Sequence, residues 1–463
     1  MPGISSLKAE LGDAIITDEK EMIPYMSDAS YFPGQMPEAV CIPNTVDQVS
    51  RILRFCNDND VPVVVRGGGT SLTGASIPVE GSVVLSMARF DRILEIRTDD
   101  KYAVVEPGVR LDRLNSELSR YGHFYPPDPA SSMAATVGGS ISTNAGGLRA
   151  AMYGTTKNWV LGLEVVIPNG KVLWLGGKTL KRTSGYDLTA LFVGSEGTLG
   201  VITKAVLKIW PLPEARGRIS AYFDRIESVG LATAELKKRG KVPMIAEFLD
   251  RIAMDSLEHT RGIRFPQDAE YLLLVDIAST RESLKRELEE AVGIIGEFSP
   301  SQISYTTDRE EMERMYAARK GAYSSLLEER KDSSERVIIG DVVVPASRLP
   351  EALRRIRDLI RERGFRASLF GHIGDGNIHI NLYADPGKRE VMEEVDRLQL
   401  EIGRIAVSLE GSVSAEHGIG MEKIGLLREE LRMRDSEYVI DIMRAIKATF
   451  DPKGILNRGK VFP

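Results

Sequence analysis

Arg66-Gly67-Gly68-Gly69-Thr70-Ser71-Leu72-Thr73-Gly74-Ala75 is the stretch on which the reading of the fold turns. It follows Val61-Pro62-Val63-Val64-Val65, an apolar run that reads as a buried strand. A glycine-rich turn after such a strand is where a phosphate-binding loop would sit. No Gly-Lys-Ser/Thr follows, so it is not a Walker loop, and Leu72 breaks the dinucleotide fingerprint. The physics is nevertheless shared: consecutive backbone N–H groups without side chains can converge on a pyrophosphate. Thr70 and Ser71 add hydroxyls, and Gly74 continues the close approach. A tight turn with spare glycines is the competing reading of this segment alone.

Two further clusters favour the ligand. Pro126-Pro127-Asp128-Pro129 introduces Thr136-Val137-Gly138-Gly139, then Ser140 to Thr143, with Ser142 among them, and Asn144-Ala145-Gly146-Gly147. The third reads Gly194-Ser195-Glu196-Gly197-Thr198-Leu199-Gly200-Val201-Ile202. Three separated small-residue loops suggest a long, flat ligand threaded through one domain. They also explain the uncharged window Pro129 to Leu148, which is too polar for a membrane span.

Between the loops the pattern is mixed α/β. Residues 44–59 read as a helix with Val46, Val49, Ile52, Leu53 and Cys56 on one stripe and a Thr45/Gln48 capping box. Ile93 to Arg97 and Tyr102 to Glu106 flank a turn sequence, Thr98 to Lys101, and read as a hairpin. Pro211 and Pro213 punctuate the chain, and beyond them strands alternate with helices, of which 351–363 is amphipathic and ends at Gly364.

Composition bounds the function. At 463 residues more than one domain is expected, and the net charge of -6 excludes a dedicated nucleic-acid binder. Two cysteines, Cys41 and Cys56, cannot hold an iron–sulfur cluster, and they predict a reducing compartment, the cytoplasm. Both read as core residues. No apolar signal segment is seen at the start of the sequence.

The segments RGGGTSLTGA, YPPDPASSMAATVGGSISTNAGG and GSEGTLGVITKA, in this order and spacing, resemble the FAD-binding domain of the vanillyl-alcohol oxidase (PCMH) type. The nearest subgroup is that of D-lactate dehydrogenases and glycolate oxidase flavin subunits, and the similarity runs from about residue 35 to the C-terminus. It implies an α+β protein: an FAD-binding domain of two α/β subdomains over residues 1–215, an α+β cap domain over 216–410, and a C-terminal segment, 411–463, that returns to the flavin. No His follows the first loop, so non-covalent FAD is expected. By this resemblance the cofactor would meet Arg66, Gly67, Gly68, Gly69, Thr70, Ser71, Gly74, Pro127, Asp128, Thr136, Gly138, Gly139, Ser142, Asn144, Gly146, Gly147, Glu196, Gly197, Gly200, Val201, Ile202 and Asn457.

Three of the five histidines fall in two motifs, Gly371-His372-Ile373-Gly374-Asp375-Gly376-Asn377-Ile378-His379 and Ser414-Ala415-Glu416-His417-Gly418-Ile419-Gly420. Residues 377–383 alternate as a strand, with His379 on the face of Asn377 and Asn381. The Gly-Asp-Gly loop can fold back and bring His372 beside His379. With Glu416 as a third ligand this is the donor set of an open zinc, manganese or iron site; hydrogen-bonded core histidines are the plain alternative. The motifs resemble the FAD-linked oxidase C-terminal domain, which implies His372, His379 and Glu416 as metal ligands and His417 as catalytic base. Arg319, Asn377 and Lys460 are the candidate substrate contacts, although Arg319 lies on a highly charged helix. Some members of the family that the chain resembles carry a Lys before the strand that matches Asp341-Val342; its absence here argues, by that resemblance, against a long dicarboxylate. His123 and His259 read as surface or structural.

The expected activity is metal-assisted oxidation of a small D-2-hydroxy acid, D-lactate or glycolate, with hydride transfer to flavin N5. An electron-transfer subunit without substrate chemistry is the alternative; an ether-lipid synthase and a flavin-free metal hydrolase fit the motifs less well. The resemblance implies an iron–sulfur subunit or an electron-transfer flavoprotein as partner. A homodimer, and attachment to the inner face of the membrane through a partner, are compatible with it.

Overall fold

The Thr45 hydroxyl accepts from Gln48 N and starts helix Val46–Asp58. The reciprocal half of the expected capping box is displaced by one residue: Gln48 Oε1 accepts from Asn44 N. Val49, Ile52, Leu53 and Cys56 are buried, as the stripe predicts, and each large side chain so placed contributes roughly 1.5–3 kcal/mol. They pack on strands Ala39–Cys41, Val63–Arg66 and Val83–Ser86. These strands run parallel within a four-stranded sheet ordered Ile15–Ile16, Ala39–Cys41, Val83–Ser86, Val63–Arg66. Their continuous apolar sequences follow from having both faces covered.

The computed structural model describes residues 2–462. Packing divides the chain into two units. The first holds the residues before Gly146, Thr155–Leu212 and the residues from Glu416 on; the second holds Gly146–Gly154 and Pro213–Ala415.

Besides the parallel sheet, the first unit contains a five-stranded antiparallel sheet ordered Ile93–Arg97, Tyr102–Val105, Val201–Lys208, Val160–Val166, Val172–Gly176. The expected hairpin forms, with Lys101 at φ +54° in its turn. The C-terminal tail joins the edge of the parallel sheet: Val63 N donates to Ile455 O and Asn457 N donates to Val63 O, each at 2.8 Å. Asp451 holds that tail in shape by accepting from Ile455 N, Leu456 N and Lys447 Nζ.

The second unit is built on a seven-stranded antiparallel sheet ordered Gln302–Thr306, Ala215–Phe223, Tyr271–Ser279, Ile245–Asp250, Ala367–Gly371, Asn377–Ala384, Arg336–Val343. Helices Arg251–Arg261 and Ala322–Glu328 pack with Leu249, Leu272, Leu274, Phe370 and Tyr383. Gly217 lies under Leu288 of helix Leu284–Gly296, where a Cβ would come within 2.5 Å. The amphipathic helix spans Leu349–Glu362, and Gly364 beyond it has φ +68°. Among the described residues no helix is long and apolar enough to cross a membrane.

Arg218 and Asp276 face each other in register across two central strands and are both buried. Nε and Nη2 meet the two carboxylate oxygens at 2.6 and 2.8 Å, and Nη1 donates to Met312 O at 2.7 Å. Removing one partner leaves a buried charge uncompensated, so Asp276→Ala is expected to cost about 3–5 kcal/mol. Urea unfolding checks this. An Arg218→Met/Asp276→Leu double variant should lose much less, because it buries no charge.

Candidate functional site

In the second unit the Gly-Asp-Gly loop does fold back. Asn377 N and Asp375 N both donate to His372 O at 3.2 Å, and Gly376 takes φ +96°. A Cβ on Gly376 would lie 2.0 Å from Val344 O, so only glycine fits the turn. The fold-back sets the His372 and His379 rings perpendicular, with centroids 5.1 Å apart, and both are buried.

A buried carboxylate stands beside each imidazole. Strand Ile245–Asp250 pairs antiparallel with Ala367–Gly371, with Phe248 opposite Gly371, so Glu247 comes level with His372. Its Oε1 lies 2.6 Å from His372 Nδ1. Asp341 stands directly opposite His379 in the neighbouring strand pair, with Oδ1 3.5 Å from His379 Nδ1. On His372 a proton held at Nδ1 by Glu247 directs the Nε2 lone pair outward, the arrangement found behind metal-bound histidines. The donor chemistry of the pair therefore fits a divalent metal. Asp341 Oδ2 also accepts from Ala415 N at 2.9 Å and Ser414 Oγ at 3.3 Å, which fixes the last residues before Glu416.

Arg319, in the last turn of helix Arg309–Lys320, is buried rather than solvated. Its Nη2 lies 2.6 Å from Glu247 Oε2 and its guanidinium carbon 4.7 Å from the Phe370 ring centre. Nε has no protein partner among the described residues, and neither does the buried Asn377 Oδ1. One carboxylate, Glu247, thus ties the candidate substrate arginine to the first histidine. Glu247 and Asp341 are the residues that sequence reasoning missed. The available signal was an acid flanked by apolar residues inside each strand, Glu247 in MIAEFL and Asp341 in VIIGDVV.

In the first unit the leading Gly loop is packed so closely that side chains are excluded. A Cβ on Gly67 would lie 2.4 Å from Thr136 Oγ1, and one on Gly68 2.1 Å from Ala134 O. Arg66 folds over Gly69, and its buried Nη1 has no protein partner among the described residues. Burial holds this guanidinium below its ordinary pKa. A bare-backbone cradle beside an unsatisfied cation fits the pyrophosphate of FAD. The Ser71 hydroxyl instead shapes the loop, accepting from Thr73 N and Ala75 N at 3.3 and 3.1 Å.

Other predicted cofactor residues have structural bonds. Thr136 caps helix Val137–Thr143, and Gly138 lies against Pro107. Ser142 Oγ donates to Gly138 O at 2.8 Å. Asn144 Oδ1 accepts from Thr155 Oγ1 and Lys157 N, each at 2.9 Å. Asn457 Oδ1 accepts from Val65 N, while its Nδ2 donates to Glu196 O. Pro127, Asp128, Val201 and Ile202 are buried, Gly200 lies against Phe192, and Gly197 has φ +70°. Gly146 and Gly147 open the short segment belonging to the second unit. Glu416 and His417 begin the returning segment, with Glu416 Oε1 3.9 Å from His417 Nε2.

Residues 37–176 match the model of an FAD binding domain, and residues 212–461 match that of the C-terminal domain of FAD linked oxidases. The chain is 37% identical to a glycolate oxidase subunit, GlcD, of Bacillus subtilis, over 95% of this chain and 92% of that one. It is 38% identical to a D-lactate dehydrogenase of Archaeoglobus fulgidus, over 90% of each. Its fold is similar to that of p-cresol methylhydroxylase crystallised with substrate, with a TM-score of 0.81 at 17% identity over 99% and 96% of the two chains. The α+β architecture expected from the three Gly-rich segments is thereby established.

Lys460 is buried, with Nζ donating to Ala75 O and Ile77 O at 2.7 and 2.8 Å. Burial pushes its pKa down to about 7, against the opposing pull of Asp28 and Glu196 and with help from Arg66. Between that value and the ordinary lysine range the unfolded chain binds the extra proton, so this group makes stability rise with pH. The difference in urea midpoint between wild type and Lys460→Met is therefore expected to move in favour of wild type from pH 7 to pH 9.5. A pH-independent difference would contradict it.

Proposed function

The chain belongs to the FAD-linked oxidases, among glycolate oxidase subunits and D-lactate dehydrogenases, and from that premise we propose that it oxidises a small D-2-hydroxy acid, D-lactate or glycolate, to the 2-oxo acid. The observation that carries the reading is the pair of buried histidines, His372 bonded at Nδ1 to Glu247 and His379 facing Asp341 across a strand pair, in a chain that is an FAD-dependent oxidoreductase by family.

Arg66 and the bare glycines 67–69 and 138–139 hold FAD; His372, His379 and Glu416 hold a divalent metal. Glu416 follows directly on Ala415, whose N–H Asp341 already holds. Bound FAD supplies the hydride acceptor, and the bound cation supplies Lewis acidity toward the substrate hydroxyl. The protein's own groups do the rest. Arg319 offers Nε to the substrate carboxylate, and Glu247 keeps the guanidinium from turning away. Asn377 Oδ1 accepts a hydrogen bond from the substrate. His417 removes the hydroxyl proton, a task suited to an imidazole near neutral pH. Electrons leave to a partner, either an iron–sulfur subunit or an electron-transfer flavoprotein; the word subunit in the relatives' names supports such an assembly.

Anaerobic bleaching of the flavin band tests the scheme. D-lactate or glycolate should bleach it, L-lactate should not, and EDTA treatment should abolish the effect until a divalent metal is restored. A purified protein that takes up no FAD, or bleaching by none of these acids, would overturn the reading. His417→Ala is expected to slow the reduction by about 10²–10⁴-fold. Glu247→Gln should loosen the metal by about 10–100-fold, read as metal content against chelator concentration, with flavin content unchanged.

A further inference from the structure

The Glu196 carboxylate, although it sits in the third Gly-rich loop, is occupied by protein. Oε1 accepts from Ile419 N at 2.7 Å and Oε2 from Gly420 N at 2.8 Å. These are the second and third peptide N–H groups after His417. The approach is close: a Cβ on Gly418, at φ +78°, would lie 2.8 Å from Glu196 Cδ. Glu196 itself has φ +50°, a conformation that a glutamate rarely adopts. Its backbone is pinned there, N donating to Ser142 O at 2.8 Å and O accepting from Asn457 Nδ2. Strain of this kind persists only where surrounding contacts over-determine it.

Thr73, from the first Gly-rich loop, grips the same turn on its other side. Its O accepts from Met421 N at 2.8 Å and Glu422 N at 3.3 Å, and its hydroxyl donates to His417 O at 3.4 Å. A Cβ on Gly420 would lie 2.2 Å from Thr73 O, and Val461 N donates to Gly420 O at 2.8 Å. Residues 417–422 are therefore held peptide by peptide from both Gly-rich loops.

We propose that Glu196 is a positioning residue: by accepting from the two peptide N–H groups at 419 and 420 it sets the backbone that aims the His417 imidazole. The proposal rests on the reading of His417 as the base. It makes the flavin-binding loops and the base one rigid piece, so that cofactor loop and proton acceptor keep a fixed register. A carboxylate suits the task, because a charged acceptor makes shorter, stronger bonds than a neutral one and serves two donors at once.

The test uses the FAD-loaded protein with ¹³Cε1-labelled histidines, whose five imidazole signals are assigned for position 417 with a His417→Asn variant. Glu196→Ala should move or broaden the His417 signal, leave the His123 and His259 signals in place, and keep FAD bound. In anaerobic stopped flow it should lower the limiting rate of flavin reduction by about 10²-fold, the cost of a small misplacement of a reacting group, with little change in substrate affinity. Glu196→Gln keeps one acceptor oxygen and should fall between; it also serves if the alanine variant does not fold. An unmoved His417 signal overturns the proposal. If FAD is lost in that case, Glu196 is a flavin ligand instead. Should no hydroxy acid reduce the wild-type flavin, the functional reading falls, while the imidazole signals still decide the role of Glu196.

Discussion

A carboxylate taken out of water must find donors inside the fold, and four that do so stand beside residues with candidate chemical roles here. Glu247 joins His372 to Arg319, and Asp341 joins His379 to the segment ending at Ala415. Glu196 holds the turn after His417, and Asp451 folds the tail that carries Asn457 to strand Val63–Arg66. All four are buried. Where the partners are backbone N–H groups, the carboxylate fixes chain path. Where they are imidazole and guanidinium, it fixes side-chain direction and the tautomer.

Glycine is the complement of these acids. Charge-assisted bonds to backbone need the backbone bare at the point of contact. Gly418 beside Glu196 is such a place, and a Cβ there would overlap the carboxylate. Gly67 and Gly68 let the first loop seat against Thr136 and Ala134, and Gly418 and Gly420 let the segment after His417 seat against Glu196 and Thr73.

Much of the framework was legible in the sequence because it depends on local periodicity. The stripe of helix Val46–Asp58, the hairpin at Ile93–Arg97, and the alternation that puts Asn377, His379 and Asn381 on one face are set by residues near each other in the chain. The fold-back of His372 onto His379 is likewise set within one short stretch, residues 372–379. Arg319 was harder: a charged helix gives the same pattern whether its arginine points to solvent or into a sheet, and only its contact with Phe370 and Glu247 separates the two.

The sequence by itself determined which residue types were available, where strands and turns would fall, and, through its Gly-rich segments, the FAD-binding family. Only the tertiary structure decided the partners. Glu247 meets His372 through the antiparallel register of strands more than a hundred residues apart in the chain, and Asp341 faces His379 through the register of a second strand pair nearer in sequence. Glu196, read locally as part of a cofactor loop, has both oxygens on peptide groups 223 and 224 residues away. Strand register and chain return are long-range outcomes of packing, with no periodic signature, so the acids that depend on them cannot be assigned from their neighbours in sequence.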